Sequence, residues 1–173
     1  MRDYPILALA LGALVPAVPA CGDDDAPAEP GTSFSATLSG AQEVPPVPTT
    51  ATGTATLAVT GSQITYTLNV TDLQNALVSH IHLAPVGENG PVRMNLCGTG
   101  DPVPACASGT GVLASGTNGT TVGSPAITFD ELVSAMQSGN AYVNVHTDDG
   151  VGQPNTGPGD MASGEIRGQI VAD

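Results

Sequence analysis

Thr54-Ala55-Thr56-Leu57-Ala58-Val59-Thr60-Gly61-Ser62-Gln63-Ile64-Thr65-Tyr66-Thr67-Leu68-Asn69-Val70 carries the fold in its spacing. Ala55, Leu57 and Val59 take every second place before the Gly-Ser pair, and Ile64, Tyr66, Leu68 and Val70 do so after it. Successive side chains of a strand point to opposite faces, so period two marks a strand with one apolar and one polar face. Gly61-Ser62 reads as a tight hairpin between two such strands. Working outward, Phe34, Ala36 and Leu38 alternate with Ser35, Thr37 and Ser39. Val92 to Leu96, Ala141 to His146 and Glu165 to Val171 read as further strands. Gln42-Glu43-Val44-Pro45-Pro46-Val47-Pro48 reads as an extended loop or edge segment, because proline donates no ladder hydrogen bond. Thr128-Phe129-Asp130-Glu131 is a capping-box pattern that opens one short helix, with Leu132, Val133 and Met136 as its apolar stripe and Gly139 ending it. Asp148 to Ser163 is rich in Gly, Pro, Asn and Asp and reads as a long loop. The expected class is all-β, an immunoglobulin-like β-sandwich or barrel with one short helix.

The chain has 173 residues and a formal charge of -13, with three arginines and no lysine. Nucleic-acid binding draws its affinity from cations on phosphate, so this balance excludes it. Residues 1–20 read as a signal peptide: Pro5 to Ala20 is an apolar run with a small residue at its end. Val18-Pro19-Ala20-Cys21 resembles the lipobox of bacterial lipoproteins, with Pro19 as its departure. That resemblance implies a diacylglycerol on Cys21 and a mature chain starting there. Residues 21–31 are acidic and Pro-rich and read as a solvated tether, and residues 32–173 as one β domain. The expected location is the cell envelope, anchored to the membrane by the N-terminal lipid, with secretion as the alternative. Of three cysteines, lipidation accounts for Cys21 and leaves Cys97 and Cys106 to pair, which an exported compartment permits.

His80, His82 and His146 are the only histidines. His80 and His82 share a face of a strand, and His146 ends the alternating run Ala141 to His146. On the final strand, Glu165, Arg167 and Gln169 are expected to face outward. If these strands are neighbours, one polar face collects the three histidines with Tyr142, Asn144, Glu165 and Arg167, and Glu43 as a further partner. Two readings follow. The preferred one is a hydrogen-bonded network: histidine to carboxylate, Arg167 to Glu165 or Glu43, Tyr142 to backbone. It needs no cofactor. The alternative is a mononuclear copper or zinc site on His80, His82 and His146. Asp148, Asp149 and Asp160 do not have EF-hand spacing and read as solvated acids. The chain has no Gly-x-Ser-x-Gly elbow, no Walker-type loop and no Cys-x-x-Cys, so no catalytic residue is assigned and no enzyme is expected.

Several pieces fall in a familiar order. They are Leu38-Ser39-Gly40-Ala41-Gln42-Glu43-Val44-Pro45-Pro46, Gly53-Thr54-Ala55, Ile64-Thr65-Tyr66-Thr67-Leu68 and His80-Ile81-His82. Asn89-Gly90-Pro91-Val92, Leu132 with Gly139, Tyr142-Val143-Asn144-Val145-His146-Thr147 and Gly164-Glu165-Ile166-Arg167-Gly168-Gln169-Ile170 follow. The series resembles the CHRD domain, found repeated in chordin and singly in bacterial exported proteins. The resemblance implies an all-β sandwich or barrel and a non-catalytic structural or protein-binding role with an extracytoplasmic partner. His80-Ile81-His82 followed by Gly87 and Asn89-Gly90 also resembles the start of the copper site of Cu/Zn superoxide dismutase. Three histidines are too few for the two metals of that enzyme, so its activity is not expected.

Overall fold

The protein is described by a computed structural model covering residues 32–99 and 102–173. The expected signal segment, the tether and Cys21 lie outside the described residues. The opening hairpin forms as its spacing predicts: β2 (Thr52–Thr60) and β3 (Gln63–Leu73) pair antiparallel, with Thr60 opposite Gln63. Gly61 makes that turn with φ +58, a left-handed value that glycine adopts without steric cost. β1 (Ser33–Ser39) flanks β2, with Phe34, Ala36 and Leu38 buried. Beyond β1 the sheet runs through β8 (Ile166–Gln169), β7 (Ala141–Thr147), β4 (Ala76–Leu83) and β5 (Val92–Cys97). On the other side β3 pairs with β6 (Gly109–Asn118), and β9 (Val171–Ala172) pairs with β1.

All these pairings are antiparallel and belong to one sheet, ordered β5-β4-β7-β8-β1-β2-β3-β6. Its two outer strands come together. Asn118 Nδ2 on β6 donates to Asn95 O on β5 at 2.9 Å, and the Tyr66 hydroxyl donates to Leu96 O. Side chains therefore bridge the seam where a ladder is missing, and the sheet curls into a nearly closed barrel. Of the two expected architectures, this is the barrel. Its interior is filled by alternate residues, among them Phe34, Leu57, Ile64, Leu68, Ile81, Met94, Val143 and Ile166.

Helix α1 (Phe129–Gln137) has the expected capping box: Thr128 Oγ1 accepts from Glu131 N, and Glu131 accepts from Thr128 N. Gly139 N–H and Asn140 N–H return to Met136 O and Ala135 O, which satisfies two of its last carbonyls. Leu132 and Met136 are fully buried, while Val133 is half-buried and lies at the edge of the stripe. Cys97 and Cys106 are disulfide-bonded, as expected, and tie the end of β5 to the segment before β6.

Candidate metal centre

The strand order makes β4, β7 and β8 neighbours, and this collects the polar face. His82 lies opposite Tyr142, His80 opposite Asn144 and Val78 opposite His146. Asn144 in turn lies opposite Arg167. His80, His82, Tyr142, Asn144, His146 and Arg167 thus project to one side, while Ser79, Ile81, Val143, Val145 and Ile166 project into the barrel.

This face is not outward. Arg167 is 2% exposed, and Tyr142, Asn144 and Glu165 are also buried. The expectation that Glu165, Arg167 and Gln169 face solvent is therefore corrected for the first two, and Gln169 is half-buried. The cause is loop coverage. The 84–91 segment supplies Pro85 O and Asn89 Oδ1 to Arg167, and Ala84 O to Gln169. Asn89 Nδ2 reaches across to Val44 O in the loop after β1, and the long loop before β8 supplies Ala162 O to His146. Proline- and glycine-rich stretches signal such loops, but sequence does not say which face they cover.

The three imidazoles form a compact triangle. Ring centroids are 5.7 Å apart for His80 and His82, 5.2 Å for His80 and His146, and 5.8 Å for His82 and His146. One nitrogen from each lies within 4.8 Å of the other two. Two rings are held from behind. His82 Nδ1 donates to Gly90 O at 2.9 Å, and His146 Nδ1 donates to Ala162 O at 3.0 Å. A carbonyl oxygen only accepts, so each neutral ring keeps its proton on Nδ1 and a lone pair on Nε2. Those Nε2 atoms, and Nδ1 of His80, are buried without a hydrogen-bond partner. Burial pushes His80 down to about 4, helped by the neighbouring His146 and His82. Burial also pushes His82 to about 4, against the Gly90 bond and with the help of His146 and Arg167. His146 is lowered by burial as well. All three are neutral at pH 7.

The surrounding groups are ordered around Tyr142. Its ring stacks on His82 at 4.8 Å between centroids and 15° between planes. From the next strand, Arg167 places its guanidinium carbon 3.5 Å from the Tyr142 ring centroid. Gly90 N–H donates to the Tyr142 hydroxyl at 3.1 Å. Glu43 is 5% exposed, and burial raises its carboxyl from 4.5 to about 7, against Arg167, Asn144 and the Val44 backbone.

Of the expected network, only the Tyr142-to-backbone link is present as drawn. His82 and His146 bond backbone carbonyls rather than carboxylates. Arg167 bonds Asn89 and Pro85 rather than Glu165 or Glu43. Glu165 is a separate tie: Oε1 accepts from Thr49 Oγ1, and Oε2 accepts from Thr147 Oγ1 and Gly159 N, each at 2.7 Å. Gly90 and Ala162, whose carbonyls orient two of the rings, were not among the expected site residues. Nothing in a sequence marks the aim of a backbone carbonyl.

A model of the CHRD domain family matches residues 34–154. The chain belongs to the CHRD domain family. The match takes in His80, His82, His146, Tyr142, Asn144 and Glu43, and it stops before Glu165 and Arg167. No curated protein matches the chain. Within this CHRD domain the donor set is three neutral imidazole nitrogens, borderline ligands that suit zinc or copper. A shared ion at ~2.0–2.1 Å from each nitrogen would need them ~3.3 Å apart; here they lie within 4.8 Å of one another.

Proposed function

We propose that this CHRD domain is a non-catalytic domain of the cell envelope, tethered through Cys21, which holds one zinc or copper ion on His80, His82 and His146. The role of the tethered domain is structural or protein-binding, and the ion fastens β4 to β7 beneath the covering loops. One observation carries the reading: each of three clustered imidazoles has a buried nitrogen with no hydrogen-bond partner, while two of the rings are anchored by a carbonyl at the other nitrogen. In a purely structural network each buried orphan costs about 1–3 kcal/mol, and three together are expensive to leave unmet. A metal satisfies all three at once. Carbonyl anchoring of the second ring nitrogen is how ligating histidines are held in metalloproteins generally. A non-catalytic role agrees with the family, which has no known enzymatic activity.

Elemental analysis of the purified full-length protein, followed by calorimetric titration with Zn²⁺ and Cu²⁺, tests the reading. The expected result is one ion per chain, lost in His82→Ala with the β-sheet circular dichroism unchanged. A folded wild-type protein that takes up neither ion would overturn it. So would a His82→Ala protein with unaltered affinity, and the histidines would then be structural.

A further inference from the structure

We propose that the loop between β7 and β8 carries a second and chemically different site, for Ca²⁺, formed by the carboxylates of Asp148, Asp149 and Asp160. The solvated reading of these acids holds for Asp148 and Asp149 but not for Asp160. One carboxylate oxygen from each lies within 4.8 Å of the other two. Asp148 and Asp149 are exposed, but Asp160 is 4% exposed. Its Oδ2 accepts from Thr156 N and Thr156 Oγ1, and these bonds, with the backbone of Asn155 and Asp149, hold its carboxyl below the usual range. Its Oδ1 is buried with no partner. Asp148 Oδ1 and Asp149 Oδ1 accept from Gly150 N and Val151 N, which fixes both carboxylates against the loop backbone.

Charge strengthens the case. Three carboxylates this close repel one another unless a cation lies among them. The chain has no lysine, and the only arginines in its described part are Arg93 and Arg167. Both are committed elsewhere, to Pro125 O and to Asn89 and Pro85. Among the described residues, therefore, no arginine or lysine side chain supplies a counter-charge to this cluster. An all-oxygen donor set selects a hard cation, and a loop site with irregular spacing suits Ca²⁺ rather than the strict octahedron of Mg²⁺. The same loop presents Gly159 N to Glu165 and Ala162 O to His146. An ion here pins the loop that covers the polar face. This site shares no ligand with the histidine triangle, so each stands or falls by itself.

Calorimetric titration of Ca²⁺ into the full-length protein and its variants tests this. One ion per chain is expected, with Kd in the range of about 10⁻⁴–10⁻³ M found for extracellular modules. Asp149→Asn alters an exposed side chain that keeps its turn acceptor, so it should fold normally and bind at least tenfold more weakly. Asp160→Asn should abolish binding, and His82→Ala should titrate like wild type. No saturable uptake by folded wild-type protein up to about 10 mM, well above that Kd range, overturns the site. An unchanged Kd in folded Asp149→Asn overturns it equally.

Discussion

Glu43 shows how a single residue carries a pH dependence here. Its Oε1 and Asn144 Oδ1 are buried acceptors without donors, and both lie against Gly164. Both residues are nearly shut off from water, which penalises a charge on Glu43. Burial accordingly raises the carboxyl from 4.5 to about 7, with Arg167 opposing. The folded chain thus binds this proton more tightly than the unfolded chain does. The resulting stabilisation is complete below about pH 4.5 and is lost as pH rises through about 7. Glu43→Gln fixes the neutral form. It should be more stable than wild type at pH 8 by about 3 kcal/mol and nearly equal to it at pH 4. Urea unfolding at the two pH values measures this. A variant less stable than wild type at pH 8 would mean that Arg167 favours the carboxylate more than burial penalises it. Glu43 was legible in the sequence as a polar partner of Arg167, but its protonation was not. That depends on the loops that exclude water from it.

At the scale of elements, short turns decide whether the strand-borne residues form a site. Gly90 ends the turn between β4 and β5. A Cβ there would meet the Leu83 carbonyl, which is backbone and has no room to give. Gly90 also supplies the carbonyl that holds His82 Nδ1 and the N–H that meets Tyr142. Gly90→Ala should therefore shift the turn and lower zinc or copper affinity about 10- to 100-fold without touching a ligand. Titration of the folded variant checks this, and unchanged affinity would remove Gly90 from the site. The turn itself was legible from Gly87-Glu88-Asn89-Gly90-Pro91, and so was the helix, because capping boxes and C-terminal glycines are local devices. β6 was not legible. Its register shifts at Leu68/Asn69, so Leu113 and Ala114 are both buried in succession and period two is broken. Its glycines hide the strand further, since they offer no side chain to either face. The polar strand faces were readable for the converse reason: β4 and β7 keep period two through His80, His82, Tyr142, Asn144 and His146. Only their enclosure was unreadable, because covering a face is long-range and leaves no periodic trace.

For the whole molecule, charge and anchoring must be considered together. Residues 21–173 hold 15 acidic side chains against two arginines, and the net charge is -13. Such a domain is repelled by an anionic lipid surface within a Debye length, about 8 Å at physiological salt. It has no basic patch to add to an anchor, so any stable attachment must come from hydrocarbon. A single acyl chain binds only marginally, whereas the two chains of a diacylglycerol suffice. On the proposed attachment, a lipid on Cys21 would therefore have to supply all of the membrane affinity. Cys21→Ser should accordingly lose fatty-acid labelling and move completely from the membrane fraction to the soluble one, rather than partly. Metabolic labelling with fractionation at low and high salt reads both effects. Labelling that survives the substitution would remove Cys21 as the anchor. An unlabelled variant that still sediments with membranes at high salt would show a second attachment through an apolar or protein contact. In either state the barrel should keep its metal stoichiometry, because both proposed ion sites lie on strands and loops between residues 80 and 160, well removed in sequence from the tether.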